Sequence, residues 1–179
     1  MLLGSILYNI ETHGEDIRYN TYITGICTNL KDVVPGCVFV CIKGAKNDGH
    51  KIAREAVKSG ALVIVAQEMT NAPAPHILVK DTREALAIMW KNYYNNPTNT
   101  LKLIGITGTN GKTTTAYLIY RILAAREINA GLIGTVETIF ADKNTSSGYT
   151  TPPTQVLNEL FFEMKNAGIT HTVMEVSSH

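Results

Sequence analysis

Apolar positions in this chain fall in short runs cut by glycine, proline and asparagine, and the runs alternate between two periods. Residues 22–27 alternate weakly and predict a strand, and residues 37–42 (Cys-Val-Phe-Val-Cys-Ile) predict a stronger one. A polar loop over 43–50 leads to a helix with Ile52, Ala53, Ala56 and Val57 on one face and Gly60 as its stop. Residues 61–66 are continuously apolar, as in a strand buried on both faces, and 76–79 predict another short strand. Asp81 stands where a helix cap would, ahead of a helix carrying Leu86, Met89, Trp90 and Tyr93. At that spacing Trp90 and Tyr93 read as core rather than as a stacking surface for a base.

Residues 95–100 (Asn-Asn-Pro-Thr-Asn-Thr) contain no apolar side chain, which places a domain boundary near residue 98. The expected domains are therefore 1–97 and 98–179. In the second, Leu101, Leu103, Ile104 and Ile106 predict a strand, and Leu118, Ile119, Ile122 and Leu123 predict a helix buried along that stripe. Residues 130–135 read as a strand and 141–149 as a polar loop. A helix then buries Val156, Leu157, Leu160, Phe161 and Met164, with prolines 152 and 153 in its first turn and Gly168 at its end. A last strand covers 171–176. This alternation predicts an α/β protein whose second domain is a doubly wound, mostly parallel sheet.

The chemistry concentrates where the predicted strand 101–106 meets the following helix. Gly105-Ile106-Thr107-Gly108-Thr109-Asn110-Gly111-Lys112-Thr113-Thr114 is a glycine-rich turn ending in Gly-Lys-Thr. Glycines let backbone N–H groups converge on an anion, and the helix N-terminus adds its own donors and positive dipole end. Lys112 would reach the β- and γ-phosphates and Thr113 would hold Mg²⁺. The spacing is irregular, because the usual phosphate loop asks for glycine at position 106, which is isoleucine here.

Glu175, at the end of an apolar strand, has two readings: a carboxylate completing a Mg²⁺ site, or an ordinary strand-end glutamate in solvent. Thr150 and Thr151 read either as helix caps or as ligands for an anionic substrate. Ser177-Ser178-His179 has no nucleophile elbow around it and no acid partner, so it does not make a hydrolase.

Composition removes several alternatives. Net charge is +1 with no basic block, which gives no electrostatic reason for a nucleic-acid partner. No apolar run approaches a membrane span, so no membrane insertion is expected. Residues 1–8 lack a basic region and a long apolar core, and read as a short helix rather than a secretory signal. Cys27, Cys37 and Cys41 form no Cys-x-x-Cys pair and read as buried thiols of a cytoplasmic protein.

The segment Gly108 to Thr114 resembles the nucleotide loop of the Mur ligases, and its displaced glycines match that family's own form. Residues 34–40 (Val-Pro-Gly-Cys-Val-Phe-Val), Gly44 and Asp48-Gly49-His50 resemble the family's N-terminal uridine-nucleotide domain. Thr150-Thr151-Pro152 resembles its substrate loop, and residues 174–179 (Met-Glu-Val-Ser-Ser-His) resemble the metal-and-substrate strand of the E-type branch. The resemblance covers essentially the whole chain. It implies a small uridine-nucleotide domain followed by an incomplete, phosphate-loop ATPase domain.

The implied activity is ATP-dependent amide-bond formation in peptidoglycan synthesis. The third amino acid, diaminopimelate or lysine, is added to UDP-N-acetylmuramoyl-L-alanyl-D-glutamate through an acyl phosphate. By motif, Gly108, Thr109, Asn110, Gly111, Lys112, Thr113 and Thr114 would bind ATP, with Lys112 acting on the transferred phosphate. Thr113 and Glu175 would approach Mg²⁺, and Thr150, Thr151, Ser177 and Lys31 would contact the muramoyl-dipeptide substrate. Asn29-Leu30-Lys31 departs from the family's Asp-Ser-Arg, and Tyr149 stands where asparagine is common. A full ligase carries further parts, including a carbamylated lysine and a C-terminal domain for the incoming amino acid. The chain is therefore expected to be inactive alone and to leave an apolar sheet edge exposed. Two other readings stay open: a non-catalytic nucleotide-binding module, and a related amide ligase of folate polyglutamylation or cyanophycin synthesis.

Overall fold

The computed structural model describes residues 1–14, 17–44 and 47–177. It divides into two compact units, Met1–Tyr93 and Tyr94–His179. Both are α/β.

Among the described residues the first unit carries a four-stranded, all-parallel sheet of β1 (Ile26–Cys27), β2 (Val38–Val40), β3 (Val63–Ala66) and β4 (His76–Leu78), in that spatial order. Helix α1 (Leu3–Ile6) precedes it, α2 (Gly49–Lys58) links β2 to β3, and α3 (Thr82–Tyr93) follows β4. Phe39, Cys37, Cys41 and Ile64 pack with Ala53 and Ala56 of α2, so the small residues on that helix let it lie close to the strands. All three cysteines are buried free thiols. Strand β1 is much shorter than the periodicity of 22–27 suggests. Ile23 is buried, but Thr24 N–H bonds the carbonyl of Gly36 in a loop contact rather than a ladder.

Asp81 caps α3, accepting from the N–H groups of Arg83 (2.7 Å) and Glu84 (3.1 Å). Trp90 is buried, with its ring edge-on to Tyr93 at 5.3 Å between centroids. Asn92 donates to the carbonyls of Ile6 (3.0 Å) and Tyr8 (2.8 Å), tying α3 to the chain around α1.

The second unit holds a five-stranded sheet in the order β5 (Lys102–Ile106), β9 (His171–Glu175), β6 (Ala130–Ile133), β7 (Glu137–Phe140), β8 (Lys143–Ser146). β5, β9 and β6 run parallel. β7 and β8 are antiparallel additions, so the sheet is less uniformly parallel than expected. Helix α4 (Lys112–Ala125) covers one face, over Leu132 and Val173, and α5 (Thr154–Asn166) covers the other, over Ile133 and Met174. Successive residues of β6 and β9 thus serve opposite layers, as strand alternation requires.

Three expectations change here. Residues 141–149 are not all loop: Lys143–Ser146 is a strand, joined to β7 across a turn at 141–142 in which Ala141 holds a positive φ of 46°. All four of its residues are exposed. The α4 stripe is also rotated. Leu118 and Ile122 are 59% and 62% exposed, and the buried side is Ala116, Ile119, Tyr120 and Leu123, a clean i, i+3, i+4, i+7 set. In α5, Val156 is exposed, and Pro153 sits at the N-cap, so both prolines precede the helix. Leu103 on the edge strand β5 is exposed. Among the described residues no helix is long and apolar enough to cross a membrane.

Candidate nucleotide and metal site

β9 enters the sheet between β5 and β6, so the carboxyl ends of β5 and β9 lie side by side, with Ile106 opposite Glu175. The loop from Ile106 to Lys112 lies there. Gly108 and Gly111 hold φ of 145° and 80°, conformations that side chains resist, and Gly111 is the N-cap of α4. No side chain caps that helix end. Its first N–H groups are therefore available to an anion. Lys112 spans the loop, its Nζ donating to the carbonyl of Gly108 at 2.7 Å.

Thr109, Asn110, Gly111, Lys112, Thr113 and Thr114 line a cleft of about 350 Å³ together with Thr135, Thr150 and Glu175. Glu175 is 1% exposed, so it is not a solvent-facing strand end. Its Oε2 accepts from Thr113 Oγ1 at 2.9 Å and from Thr135 Oγ1 at 3.1 Å, and its Oε1 accepts from the N–H of Thr135 at 2.9 Å. The adjacent hydroxyl and carboxylate offer hard oxygen donors. Among the described residues no cluster of three or more His, Cys, Asp and Glu forms. One carboxylate and one hydroxyl beside a phosphate loop fit Mg²⁺, which keeps waters and takes phosphate oxygens for its remaining positions.

Thr150 and Thr151 do not cap α5. Thr150 Oγ1 lies 3.1 Å from Thr135 Oγ1. Thr151 Oγ1 lies 3.1 Å from both the carbonyl oxygen of Glu175 and Ser177 Oγ, and it accepts from the N–H of Ser177 at 2.9 Å. Thr150, Thr151, Ser177 and Glu175 thus form one hydroxyl-rich rim. Ser178 and His179 lie outside the described residues.

Lys31 belongs to the first unit. It sits on a 3-10 turn (Leu30–Asp32) at a second cleft of about 1070 Å³, which Lys43 and Lys51 also line. Leu30 and the half-buried Leu86 contribute apolar surface there. Asp48 caps α2 by accepting from the N–H of His50 (3.0 Å) and bonds His50 Nδ1 (2.8 Å). These bonds to His50 hold the Asp48 carboxyl below its usual range. His50 Nε2 accepts from the N–H of Gln67 (3.3 Å), which fixes Nδ1 as the protonated nitrogen. The Asp-Gly-His motif therefore braces the cleft wall against the end of β3.

Comparison with known proteins agrees with this layout. Residues 22–94 match the model described as Mur ligase family, catalytic domain, and residues 106–179 match the Mur ligase middle domain. The chain belongs to the Mur ligase family. Among curated Mur ligases it is 43% identical over 181 residues to the UDP-N-acetylmuramoyl-L-alanyl-D-glutamate–2,6-diaminopimelate ligase of Clostridium perfringens, covering all of this chain and 37% of that one. The enzyme of the same name from Cytophaga hutchinsonii is 38% identical over 183 residues, with 100% and 38% covered. A solved ligase of that name superposes with a TM-score of 0.77 at 22% identity, covering 100% of this chain and 36% of that one. MurF from Acinetobacter baumannii gives 0.64 at 21%, covering 98% and 35%, which supports the shared Mur ligase fold. MurF from Thermotoga maritima, solved in complex with ADP, gives 0.50 at 26%, covering 87% and 32%. The chain spans little more than a third of the length of the curated Mur ligases it matches.

Thr135 and Gly134 were not among the residues singled out from sequence. Their signal is slight: a Gly-Thr pair at the end of an apolar strand.

Proposed function

We propose that this chain supplies the substrate and nucleotide sites of a cytoplasmic, ATP-dependent ligase that adds diaminopimelate or lysine to UDP-N-acetylmuramoyl-L-alanyl-D-glutamate. The observation that carries this reading is the 2.9 Å contact between Thr113 Oγ1 and Glu175 Oε2 at the mouth of the Gly108–Thr114 loop. It brings a carboxylate 62 residues away in sequence onto the first turn of the phosphate-binding helix.

In this reading the N–H groups of residues 109–114 and the Lys112 ammonium hold the phosphates, and Thr113 and Glu175 hold Mg²⁺. The bound cation supplies neutralisation of charge on the transferring phosphoryl group. A side-chain carboxylate oxygen of the D-glutamate attacks the γ-phosphorus and ADP leaves. The amino nitrogen of the incoming amino acid then attacks the acyl carbon, inorganic phosphate leaves, and the nitrogen loses a proton. Lys112 stabilises charge on the phosphoryl oxygens as it transfers. Thr150, Thr151 and Ser177 orient the muramoyl-dipeptide, and the lysine-lined cleft around Lys31 takes its uridine diphosphate.

Calorimetric titration of the purified chain tests this. ATP should bind in a Mg²⁺-dependent manner, and Lys112→Ala should abolish it. The muramoyl-dipeptide nucleotide should bind separately and weaken in Lys31→Ala. ATP binding with no response to the muramoyl nucleotide would favour a nucleotide-binding module, for which Leu30 in the cleft wall speaks. Absence of both would sink the reading.

A further inference from the structure

The carboxylate at the end of β9 has donors from two directions, and one residue supplies two of them. Thr135 gives its backbone N–H to Oε1 and its hydroxyl to Oε2. A hydroxyl has one proton, and Thr135 Oγ1 also lies 3.1 Å from Thr150 Oγ1. Both bonds have Thr135 Oγ1 as donor, so its single proton is shared between Glu175 Oε2 and Thr150 Oγ1. The Thr135 hydroxyl is thus the one group common to the 150–151 loop and the carboxylate facing Thr113.

The seat itself is built for this contact. A Cβ at position 134 would meet Glu175 Oε1 at 2.6 Å. The carboxylate therefore rests directly on the 134–135 peptide, and a side chain at 134 would force it to shift. Thr151 meanwhile touches the backbone carbonyl of the same glutamate. Thr151 thus holds the main chain of Glu175 while Thr135, the partner of Thr150, holds its side chain.

We infer that Thr135 is a positioning residue: it fixes the Glu175 carboxylate for the divalent cation and couples that carboxylate to the Thr150–Thr151 loop. The inference rests on the nucleotide and Mg²⁺ reading above. It assigns Thr135 no contact with ATP. Partners in the outer shell of a metal site commonly change metal affinity by 10- to 100-fold when removed. Because Thr150 acts through Thr135, the two should behave as one unit.

The test is a Mg²⁺ titration of ATP binding by the whole chain. Thr135→Val keeps the backbone donor and loses the hydroxyl. It should weaken the apparent Mg²⁺ affinity about tenfold while leaving Mg²⁺-free ATP binding and the thermal midpoint near wild type. Thr135→Ser should restore it. Thr150→Val should shift the Mg²⁺ affinity less than Thr135→Val does, and should shift nothing further in the Thr135→Val background, the signature of a shared path. A Thr135→Val chain whose Mg²⁺ response stays within about twofold of wild type overturns the positioning role. Additive effects of the two valines overturn the coupling. A wild-type chain with no Mg²⁺-dependent ATP binding overturns the nucleotide reading and this inference together.

Discussion

The phenol of Tyr117, on the second turn of α4, donates a short hydrogen bond to the carboxylate of Glu137 on β7. It links the phosphate-loop helix to the antiparallel extension of the sheet. The bond holds the Glu137 carboxyl below its usual range, with Asn144 adding a second donor. Tyr117→Phe removes the main cause. The Glu137 carboxyl should move up toward its ordinary value in an NMR titration, and the melting temperature should fall.

Alkaline pH should weaken both units. Burial pushes Tyr117 up to about 12 from 10.0, with its bond to Glu137 as a further cause. Burial likewise pushes Cys27 and Cys41 up to about 12 from 9.0, helped by Cys37 and by Asp48 respectively. A folded value above the unfolded one means stability that is complete below the unfolded value and lost as pH rises toward the folded one. Denaturant midpoints should therefore decline from about pH 9 toward 12. Cys41→Ala should make that decline shallower, and an unchanged slope would contradict the assignment.

Neighbouring positions on α4 should respond oppositely. Ile122→Lys places a charge on an exposed face and should leave the melting temperature close to wild type. Leu123→Ala removes a half-buried contact to the sheet and should cost on the order of 1–2 kcal/mol in denaturant unfolding. Equal losses would show that the buried stripe is not Ala116, Ile119, Tyr120 and Leu123.

Gly134→Ala should disturb the Glu175 carboxylate from outside the Gly108–Thr114 loop. Its methyl group would have to displace Glu175 Oε1 from a 2.6 Å approach. The expected outcome is weakened Mg²⁺ dependence of ATP binding together with a lower thermal midpoint, measured by calorimetry and melting.

The sequence made some of this legible and hid the rest for physical reasons. The Gly108–Thr114 loop stood out because glycine, lysine and threonine must occupy fixed positions between a strand and a helix. Glu175 was visible as a candidate because it ends an apolar strand. β8 was not, because Lys-Asn-Thr-Ser has no apolar face to alternate: it is exposed at every position and is held by backbone pairing to β7. On α4 the aliphatic residues straddle two faces, and the buried one uses Ala116 and Tyr120, which a search for large aliphatics passes over. Thr135 could not be linked to Glu175 because 40 residues separate them. Only the strand order makes them neighbours.

That strand order also bears on how the second unit comes into being. β5 and β6 do not pair with each other; each pairs with β9, which follows both of them in the chain by more than 35 residues. A growing chain that has produced the Gly108–Thr114 loop, α4 and the β7–β8 hairpin still has a gap between β5 and β6. Leu132 and the inner face of α4 must wait for Val173 to arrive. Closure of this sheet is therefore a late, long-range event, of the kind that slows folding. The nucleotide loop and the carboxylate it meets are brought together in that same step.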